Sequence, residues 1–282
     1  MPAVTPWHRL SGVLDAIRAD SSAILRDFGR SWRVLGALTV IESRRKYAGS
    51  LLGMLWYPMY SALLLGSYCF LYLVVFRIRF KTLGTYEYVL FVFSGLIPYL
   101  GFSEAVNSST ASVRQNLTLL KNAVFPIEFV PVKFVLAAMF GLITSLAILI
   151  LMALPTHFAG WHILYMPVAI TALCLFCVDI AWILSAVAVL VPDIMQITNI
   201  LLLLLMFVSP VGYSLDMVPA GARFLVYLNP LTYLIEEFRY AVLGTRFLPL
   251  WTDAAFLTAC TVGAALAGTF FRRLSPLFSD YE

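Results

Sequence analysis

The 282-residue sequence contains few charged residues. Asp, Glu, Lys and Arg make up 12% of the chain, whereas hydrophobic residues make up 61% and the mean hydropathy is +0.90. Soluble domains carry about 25% charged residues, so this chain has too little charge to cover a water-soluble globule of its size. Its uncharged runs approach the roughly 20 residues that a helix needs to cross a bilayer, and they exceed the roughly 10-residue strands of a membrane β-barrel. The composition therefore predicts an all-α integral membrane protein.

Residue types that bind metals and nucleotides are also scarce. The four Cys fall inside apolar runs, and the three His lie in a terminus and a short loop, which disfavours a metal site. No Gly-Lys dipeptide occurs, so the chain has no P-loop, and any use of ATP must depend on another chain. The formal charge of +4 is better explained by membrane orientation than by nucleic-acid binding.

Catalytic groups are nearly absent from the apolar runs, which argues against an enzyme. Asp179 is the exception, because it lies near the middle of the fourth run. A carboxylate in a bilayer is costly, so it either serves a pathway or proton relay, or it is a protonated or paired acid that holds two helices together. No second acid lies nearby in the sequence to complete a relay.

Residues 1–50 form a cytoplasmic region with an amphipathic helix. No secretory signal is expected, because the first long apolar run begins only near Leu51 and charged residues precede it. We expect the helix to lie in the headgroup plane with Phe28 and Trp32 directed inward, or else to pack on a soluble partner. Its apolar face consists of Leu10, Val13, Leu14, Ile17, Ile24, Leu25, Phe28, Trp32 and Leu35.

Residues 51–282 are predicted to form a transmembrane domain of six helices. The spans cover residues 51–76, 88–106, 134–154, 167–191, 197–211 and 254–271. With the N-terminus in the cytoplasm, 13 of the 19 Lys and Arg lie on the cytoplasmic side. Because such an excess marks cytoplasmic segments, both termini are expected in the cytoplasm.

Residues 212–253, between the fifth and sixth spans, differ from an ordinary loop. Their apolar stretches are too short to cross a bilayer and too hydrophobic for water, which is typical of re-entrant or interfacial helices. Asn229 is a good N-cap, Pro230 suits the first helical position, and Gly244 can end the helix. The segment therefore predicts a short helical hairpin that dips into the outer leaflet.

A row of tyrosines follows one side of the first span. Tyr rings combine an apolar face with a hydrogen-bonding edge, which suits the CH faces and hydroxyls of sugars. The alternative is a helix-packing face with tyrosines at the membrane interfaces. The row consists of Tyr57, Tyr60, Ser61, Leu64, Tyr68 and Tyr72.

The loop 107–131 follows the second span on the cytoplasmic side. It is polar at first and can then form a short helix that Pro126 and Pro131 terminate. An external motor subunit could push such an exposed helix. An ordinary connecting helix is the alternative.

Together these motifs resemble the transmembrane subunits of type-2 ABC exporters, and among them the permeases that export O-antigen, teichoic acid or capsular polysaccharide. The resemblance covers nearly the whole chain and rests on the order and spacing of four segments. They are residues 45–56 (RKYAGSLLGMLW), 116–131, 193–219 and 228–239. Two features depart from the family pattern. Pro192 stands where members usually carry the Arg of Phe-Arg-Asp, and Pro58 lies closer to Trp56 than the usual proline.

The resemblance implies a homodimer of six-span permeases in the bacterial inner membrane. Two copies of a cytoplasmic ABC ATPase would bind the ATP, so that the permease itself needs no cofactor and is not an enzyme. The expected substrate is a lipid-linked, O-antigen-like polysaccharide. The alternatives are a permease for drugs or small lipids from the same superfamily and, from another class, a membrane-embedded glycan-transferring enzyme that uses Asp179.

The resemblance also implies that the chain contacts membrane lipid and binds no nucleic acid. It further implies roles for individual residues. The substrate channel would be lined by Tyr57, Tyr60, Ser61, Tyr68, Tyr72, Met206 and Tyr213. Coupling to the ATPase would use Asn116, Leu120, Lys121, Phe125 and Glu128. The outer gate would contain Asn229, Pro230, Glu237 and Arg239.

Overall fold

A computed structural model of the chain describes residues 6–46, 48–75, 84–117, 125–158 and 160–280. These residues are mainly helical, and no strand occurs among them. Short 3-10 turns connect several of the helices. The α-helices are α1 (Pro6–Lys46), α2 (Trp56–Cys69), α3 (Thr85–Thr110), α4 (Ser112–Gln115), α5 (Phe129–Ala153), α6 (Met166–Leu190), α7 (Ile194–Val208), α8 (Arg223–Leu228), α9 (Pro230–Leu243) and α10 (Leu250–Leu274).

Four helices of the described chain are long and apolar enough to cross a membrane. They are α3, α5, α6 with its preceding turn, and α10 with its following turn. These candidate spans coincide with the predicted second, third, fourth and sixth spans. In the first predicted span the hydrogen-bond pattern changes. The α-helix α2 ends at Cys69, and the chain continues as a π-helix over Phe70–Val75. The fifth is short, because α7 has only 15 residues.

The bundle is built around α3, which contacts α2, α5, α6, α7 and α9 and is buried over most of its length. α6 packs against α10 on the other side of the bundle. Asp179 lies at that contact, with a carboxyl oxygen against Gly263, and is only 8% exposed. Its Oδ1 atom has no hydrogen-bond partner within the described ranges. Asp179 thus lies between two packed helices.

α1 packs against α5 and α10 along one face. The ring of Phe28 lies 4.7 Å from that of Phe129 and 6.4 Å from that of Trp182. Leu25 and Trp32 are instead 71% and 64% exposed. The apolar face predicted from the sequence is therefore divided. Phe28 packs on the chain itself rather than entering the headgroup layer, whereas Leu25 and Trp32 can still contact lipid.

Ion pairs also attach α1 to the bundle. Arg272, near the end of α10, lies 3.6 Å from Asp27 of α1 and 3.6 Å from Glu128, which precedes α5. Lys133 of α5 lies 3.0 Å from Glu42 of α1. These pairs link α1, the start of α5 and the end of α10.

We expect Phe28→Ala to loosen α1. The substitution removes the ring contacts with Phe129 and Trp182, and truncating a partly buried Phe costs about 2 kcal/mol. Hydrogen–deuterium exchange of the α1 amides should become roughly tenfold faster or more. Leu25→Ala is the matched control and should leave exchange unchanged. Equal exchange rates in the two variants would show that Phe28 does not hold α1.

Candidate functional site

Tyr68, Met206 and Tyr213 lie around one cavity of about 210 Å³ between α2 and the end of α7. Ser67 and Ser209 contribute hydroxyl groups to the same lining. The structure thus brings together residues of the predicted channel that come from two distant parts of the sequence. Aromatic faces and hydroxyl groups are both present, as a sugar-binding surface requires.

Tyr60 and Ser61 lie at another cavity, of about 420 Å³, between α2, α3, α5 and the end of α1. Tyr60 is 57% exposed, whereas Ser61 is buried with its Oγ 3.2 Å from the Oγ of Ser145. Tyr60 and Tyr68 are eight residues apart, which places them about 80° apart around the helix. The described part of the tyrosine row therefore faces two cavities. The side chains of Tyr57 and Tyr72 lie outside the described part.

α7 ends at Val208, and an irregular segment, residues 209–213, follows it. Ser209 is extended, with ψ of 142°, and Pro210 has no N–H group to continue a helix. The carbonyl groups at this end need hydrogen-bond donors from elsewhere. The hydroxyl of Tyr213 donates to the carbonyl oxygen of Val208 at 2.6 Å.

Arg239 of α9 supplies further donors to this segment. Its side chain is fully buried, and its Nη2 donates to the carbonyl oxygen of Val211 at 2.8 Å and to that of Pro210. Its Nη1 donates to the carbonyl oxygen of Tyr213 at 3.4 Å and to Oε1 of Glu236 at 2.8 Å. One planar guanidinium group therefore holds the end of α7 to α9.

α3 supports Arg239 from the opposite side. The guanidinium carbon lies 3.8 Å from the centroid of the Phe91 ring, a cation–π contact. Gly95, one turn further, permits this approach, since a Cβ there would lie 3.2 Å from Nη2 of Arg239. Burial lowers the pKa of Arg239, and the charge of Glu236 opposes that decrease. Burial likewise raises the pKa of Glu236, against the effect of Arg239.

Helix α9 begins and ends as predicted from the sequence. Pro230 is its first residue, and the Oδ1 atom of Asn229 accepts a hydrogen bond from the backbone N–H of Leu231 at 3.0 Å. Gly244 follows its last residue in the left-handed region, with φ of 70°. The Nδ2 atom of Asn229 also donates to Oγ of Ser209 at 2.8 Å. The same side chain therefore caps α9 and ties it to the end of α7.

Glu237 is buried where α9 meets α10. Its Oε2 atom has no hydrogen-bond partner among the residues described. Burial and the charge of Asp253 raise the pKa of Glu237 to about 8, against the effect of Arg246. Asp253 in turn accepts hydrogen bonds of 2.7 Å from Arg246 and from the hydroxyl of Tyr165. This cluster connects α9, α10 and the turn before α6.

The coupling segment is described only in part. Leu120 and Lys121 lie outside the described residues. Asn116 follows α4, and its Nδ2 donates to the carbonyl oxygen of Ser112 at 2.7 Å. Phe125, which follows residues 118–124, is half-buried. These two residues therefore lie on either side of residues 118–124, within the predicted coupling loop 107–131.

Glu128 is buried rather than displayed on the surface. It is 6% exposed, and its carboxylate pairs with Arg272. Its carbonyl oxygen accepts a hydrogen bond of 3.1 Å from Nε1 of Trp182. A role of Glu128 in coupling would therefore depend on its contacts with Trp182 of α6 and Arg272 of α10.

Two charged members of these sites were not predicted from the sequence. Glu236 pairs with Arg239, and its position three residues earlier on a helix was the available signal. Glu104 pairs with Lys46 at the 420 Å³ cavity. Because 58 residues separate these two, no local pattern indicated their contact.

Known proteins are similar to most of this chain. A family model described as ABC-2 type transporter matches residues 38–243, which include both cavities and Arg239. The O-antigen export system permease protein RfbA of Myxococcus xanthus is 26% identical over 219 residues, covering 77% of this chain and 82% of the relative. A protein of the same name from Klebsiella pneumoniae is 23% identical over 263 residues, covering 90% and 96%. The polysialic acid transport protein KpsM of Escherichia coli is 25% identical over 213 residues, covering 73% and 80%.

We expect Arg239→Gln to destabilise the protein. Removing one partner of a buried charged pair costs about 3–5 kcal/mol, and Gln cannot replace the forked donors. The apparent unfolding temperature in detergent should fall, and Arg239→Lys should recover little of it. Arg223→Gln, at an exposed position of the same hairpin, is the control and should behave as wild type. An unchanged unfolding temperature in Arg239→Gln would contradict the conclusion that Arg239 holds the end of α7 to α9.

The raised pKa of Glu237 predicts a pH-dependent stability. The pKa is about 8 in the folded chain against an ordinary value of 4.5, so the folded state binds this proton more tightly. The resulting stability is complete below the ordinary pKa and is lost as pH rises through the folded one. The apparent unfolding temperature should therefore fall as pH rises from about 4.5 to about 8 and level off above that.

Glu237→Gln should remove most of this decrease, because the amide does not ionise. Asp216→Asn, at an exposed position of the same hairpin, is the control and should keep the wild-type profile. Parallel pH profiles for wild type and Glu237→Gln would show that another group is responsible.

Proposed function

The chain belongs to the ABC-2 type transporter family, and on this premise we propose that it is the permease subunit of an ATP-driven polysaccharide exporter. The observation that carries the proposal is the match over residues 38–243 together with relatives named for the export of O-antigen and the transport of polysialic acid. The family implies an ABC ATPase as partner. The lack of a P-loop in this chain agrees with ATP hydrolysis in a separate subunit.

We propose that the working unit is a homodimer in the bacterial inner membrane with two ATPase copies. α2, with its π-helical continuation, and α7 would be the first and fifth of six spans, and both termini would lie in the cytoplasm. Both helices expose large apolar side chains, such as Leu63 at 62% and Phe207 at 67%. Such surfaces suit a second copy of the chain or lipid better than water.

The conduit would form where α2 and α7 of the two copies face each other. In each copy the cavity at Tyr68, Met206 and Tyr213 would be part of its wall. Aromatic faces and hydroxyls can contact successive sugars of a lipid-linked glycan without holding any one of them tightly. The hairpin of α8 and α9 would form the outer gate, and Arg239 would make it move together with the end of α7.

Coupling would begin at the loop 107–131. Closure of the ATPases would displace this loop near Asn116 and Phe125. Glu128 and Arg272 would pass the displacement to α10 and, through Asp27, to α1. The rigid, buried α3 connects this end of the bundle with Arg239 and the gate.

The function is tested by reconstitution of the full chain with its ATPase subunits in inside-out vesicles. Lipid-linked glycan extracted from the producing strain is added outside together with ATP, and the vesicle interior is assayed for glycan. We expect accumulation that requires both ATP and the permease. Accumulation of a small amphiphile in place of glycan would favour the drug or small-lipid exporter, and glycan transfer without ATPase would favour the enzyme.

Phe125→Ala should uncouple this system. Losing the ring at the coupling segment should reduce glycan export about tenfold while ATP hydrolysis and membrane insertion persist, as expected for a lost coupling free energy. Phe140→Ala, 44% exposed on α5 and outside the loop, is the control. Normal export in Phe125→Ala would place the ATPase contact elsewhere.

A further inference from the structure

Two adjacent cavities lie beside the end of α1, one against α2, α3 and α5 and the other against α3, α4 and α5. One has a volume of about 420 Å³ and the other of about 500 Å³. Lys46, Glu104 and Asn107 belong to the lining of both, so the two volumes form one site. Its size suits a small-molecule binding site, for which about 300–1,000 Å³ is usual.

The lining of this paired cavity is more polar than a lipid-facing groove requires. α3 contributes Ser103, Glu104 and Asn107 within little more than one helical turn. Lys46 of α1 forms an ion pair with Glu104 across the cavity wall, and both side chains are about one-third exposed. Ammonium, carboxylate, amide and hydroxyl groups therefore meet in one place, where they can both donate and accept hydrogen bonds.

The charges of the lining balance. The two acids, Glu42 and Glu104, stand against two bases, Arg45 and Lys46. Glu104 neutralises Lys46, and Glu42 is paired with Lys133 at 3.0 Å. Neither pair includes the exposed Arg45, but a phosphate site concentrates several unneutralised cations or backbone N–H groups, and one exposed Arg is not such a cluster. The balance favours a neutral, hydroxyl-rich ligand.

Two aromatic side chains complete the lining. Trp56 and Tyr60 at the start of α2 are 41% and 57% exposed. The indole Nε1 of Trp56 donates to Oγ of Ser50 at 2.8 Å, which fixes the orientation of the ring. Aromatic faces beside mixed hydrogen-bonding groups match the CH faces and hydroxyls of a pyranose ring.

We propose that this paired cavity binds a sugar unit of the exported glycan at the cytoplasmic mouth of the permease, before the chain enters the conduit. The inference rests on the proposed function. The site is distinct from the cavity at Tyr68, since it lies at the other end of α2 and contains no residue of α7. Trp56 and Tyr60 stack on the sugar ring, and Glu104 and Asn107 bond its hydroxyls.

A photo-reactive amino acid in place of Tyr60 tests where the glycan binds. Cells that produce the glycan are irradiated, and adducts on the full-length permease are identified by mass spectrometry. We expect a glycan adduct at position 60. Ile143, 49% exposed on α5 at a depth near Ser145 but outside the lining, is the matched control position and should give none. A phospholipid adduct at position 60, or no adduct, would overturn the proposal.

A kinetic test uses the reconstituted complex and lipid-linked glycan extracted from the producing strain. Asn107→Ala leaves the ion pair of Lys46 and Glu104 intact, and Glu104→Gln keeps the shape of the side chain. We expect each to raise the glycan concentration for half-maximal export about fivefold to tenfold with little change in the maximal rate, as for a lost binding contact. Thr258→Ala, exposed on α10, should change neither.

The experiments distinguish failure of the sugar site from failure of the exporter function. If wild-type vesicles export the glycan while position 60 gives no glycan adduct and both variants keep wild-type kinetics, the sugar site is wrong and the exporter stands. If wild-type vesicles export no glycan, the proposed function itself fails. A fall in maximal rate at unchanged half-maximal concentration would also overturn the site, because it would mean a structural role.

Discussion

The fold around α9 depends on hydrogen bonds to the carbonyl groups that follow α7. A helix that ends within a bundle leaves backbone oxygens without partners, and in the absence of water each costs several kcal/mol. Arg239 meets this need for three residues at once and is itself stabilised by Glu236 and Phe91. The position of α9 and the burial of two charged residues thus have one common cause, which is the break that Pro210 imposes after α7.

A second arginine has a corresponding role at the other end of the bundle. Arg272 joins α10 to Asp27 of α1 and to Glu128 before α5. Its side chain is 35% exposed, whereas Arg239 is fully buried. Exposed ion pairs are weak and easily rearranged, but breaking buried ones is costly. The pair of Arg272 with Asp27 is therefore easier to break than the buried contacts of Arg239, and the pair of Arg272 with the buried Glu128 lies between these cases.

Local chemistry explains what could be predicted from the sequence. The caps of α9 at Asn229, Pro230 and Gly244 depend on neighbouring residues, and the four candidate spans depend on uninterrupted apolar runs. The apolar runs of the first and fifth predicted spans did not indicate the π-helical turn over Phe70–Val75 or the end of α7 at Val208. Helical spacing placed Tyr60 and Tyr68 on one helix but could not assign them to different cavities. Pairs such as Glu104 with Lys46 join distant segments, and a single sequence contains no signal for them.

The buried charges of α9 constrain how the protein is assembled in the membrane. A segment with Glu236, Glu237 and Arg239 is a poor candidate for independent insertion, because each charge is unfavourable in lipid. The groups that contact the guanidinium of Arg239 all precede it in the chain. They include the Phe91 ring on α3 and the backbone carbonyls of Pro210, Val211 and Tyr213. During synthesis from the N-terminus, the groups that bind Arg239 are thus made before α9 itself emerges, whereas α10, which packs on Glu237, follows. The order of elements along the gene is therefore also a workable order of folding.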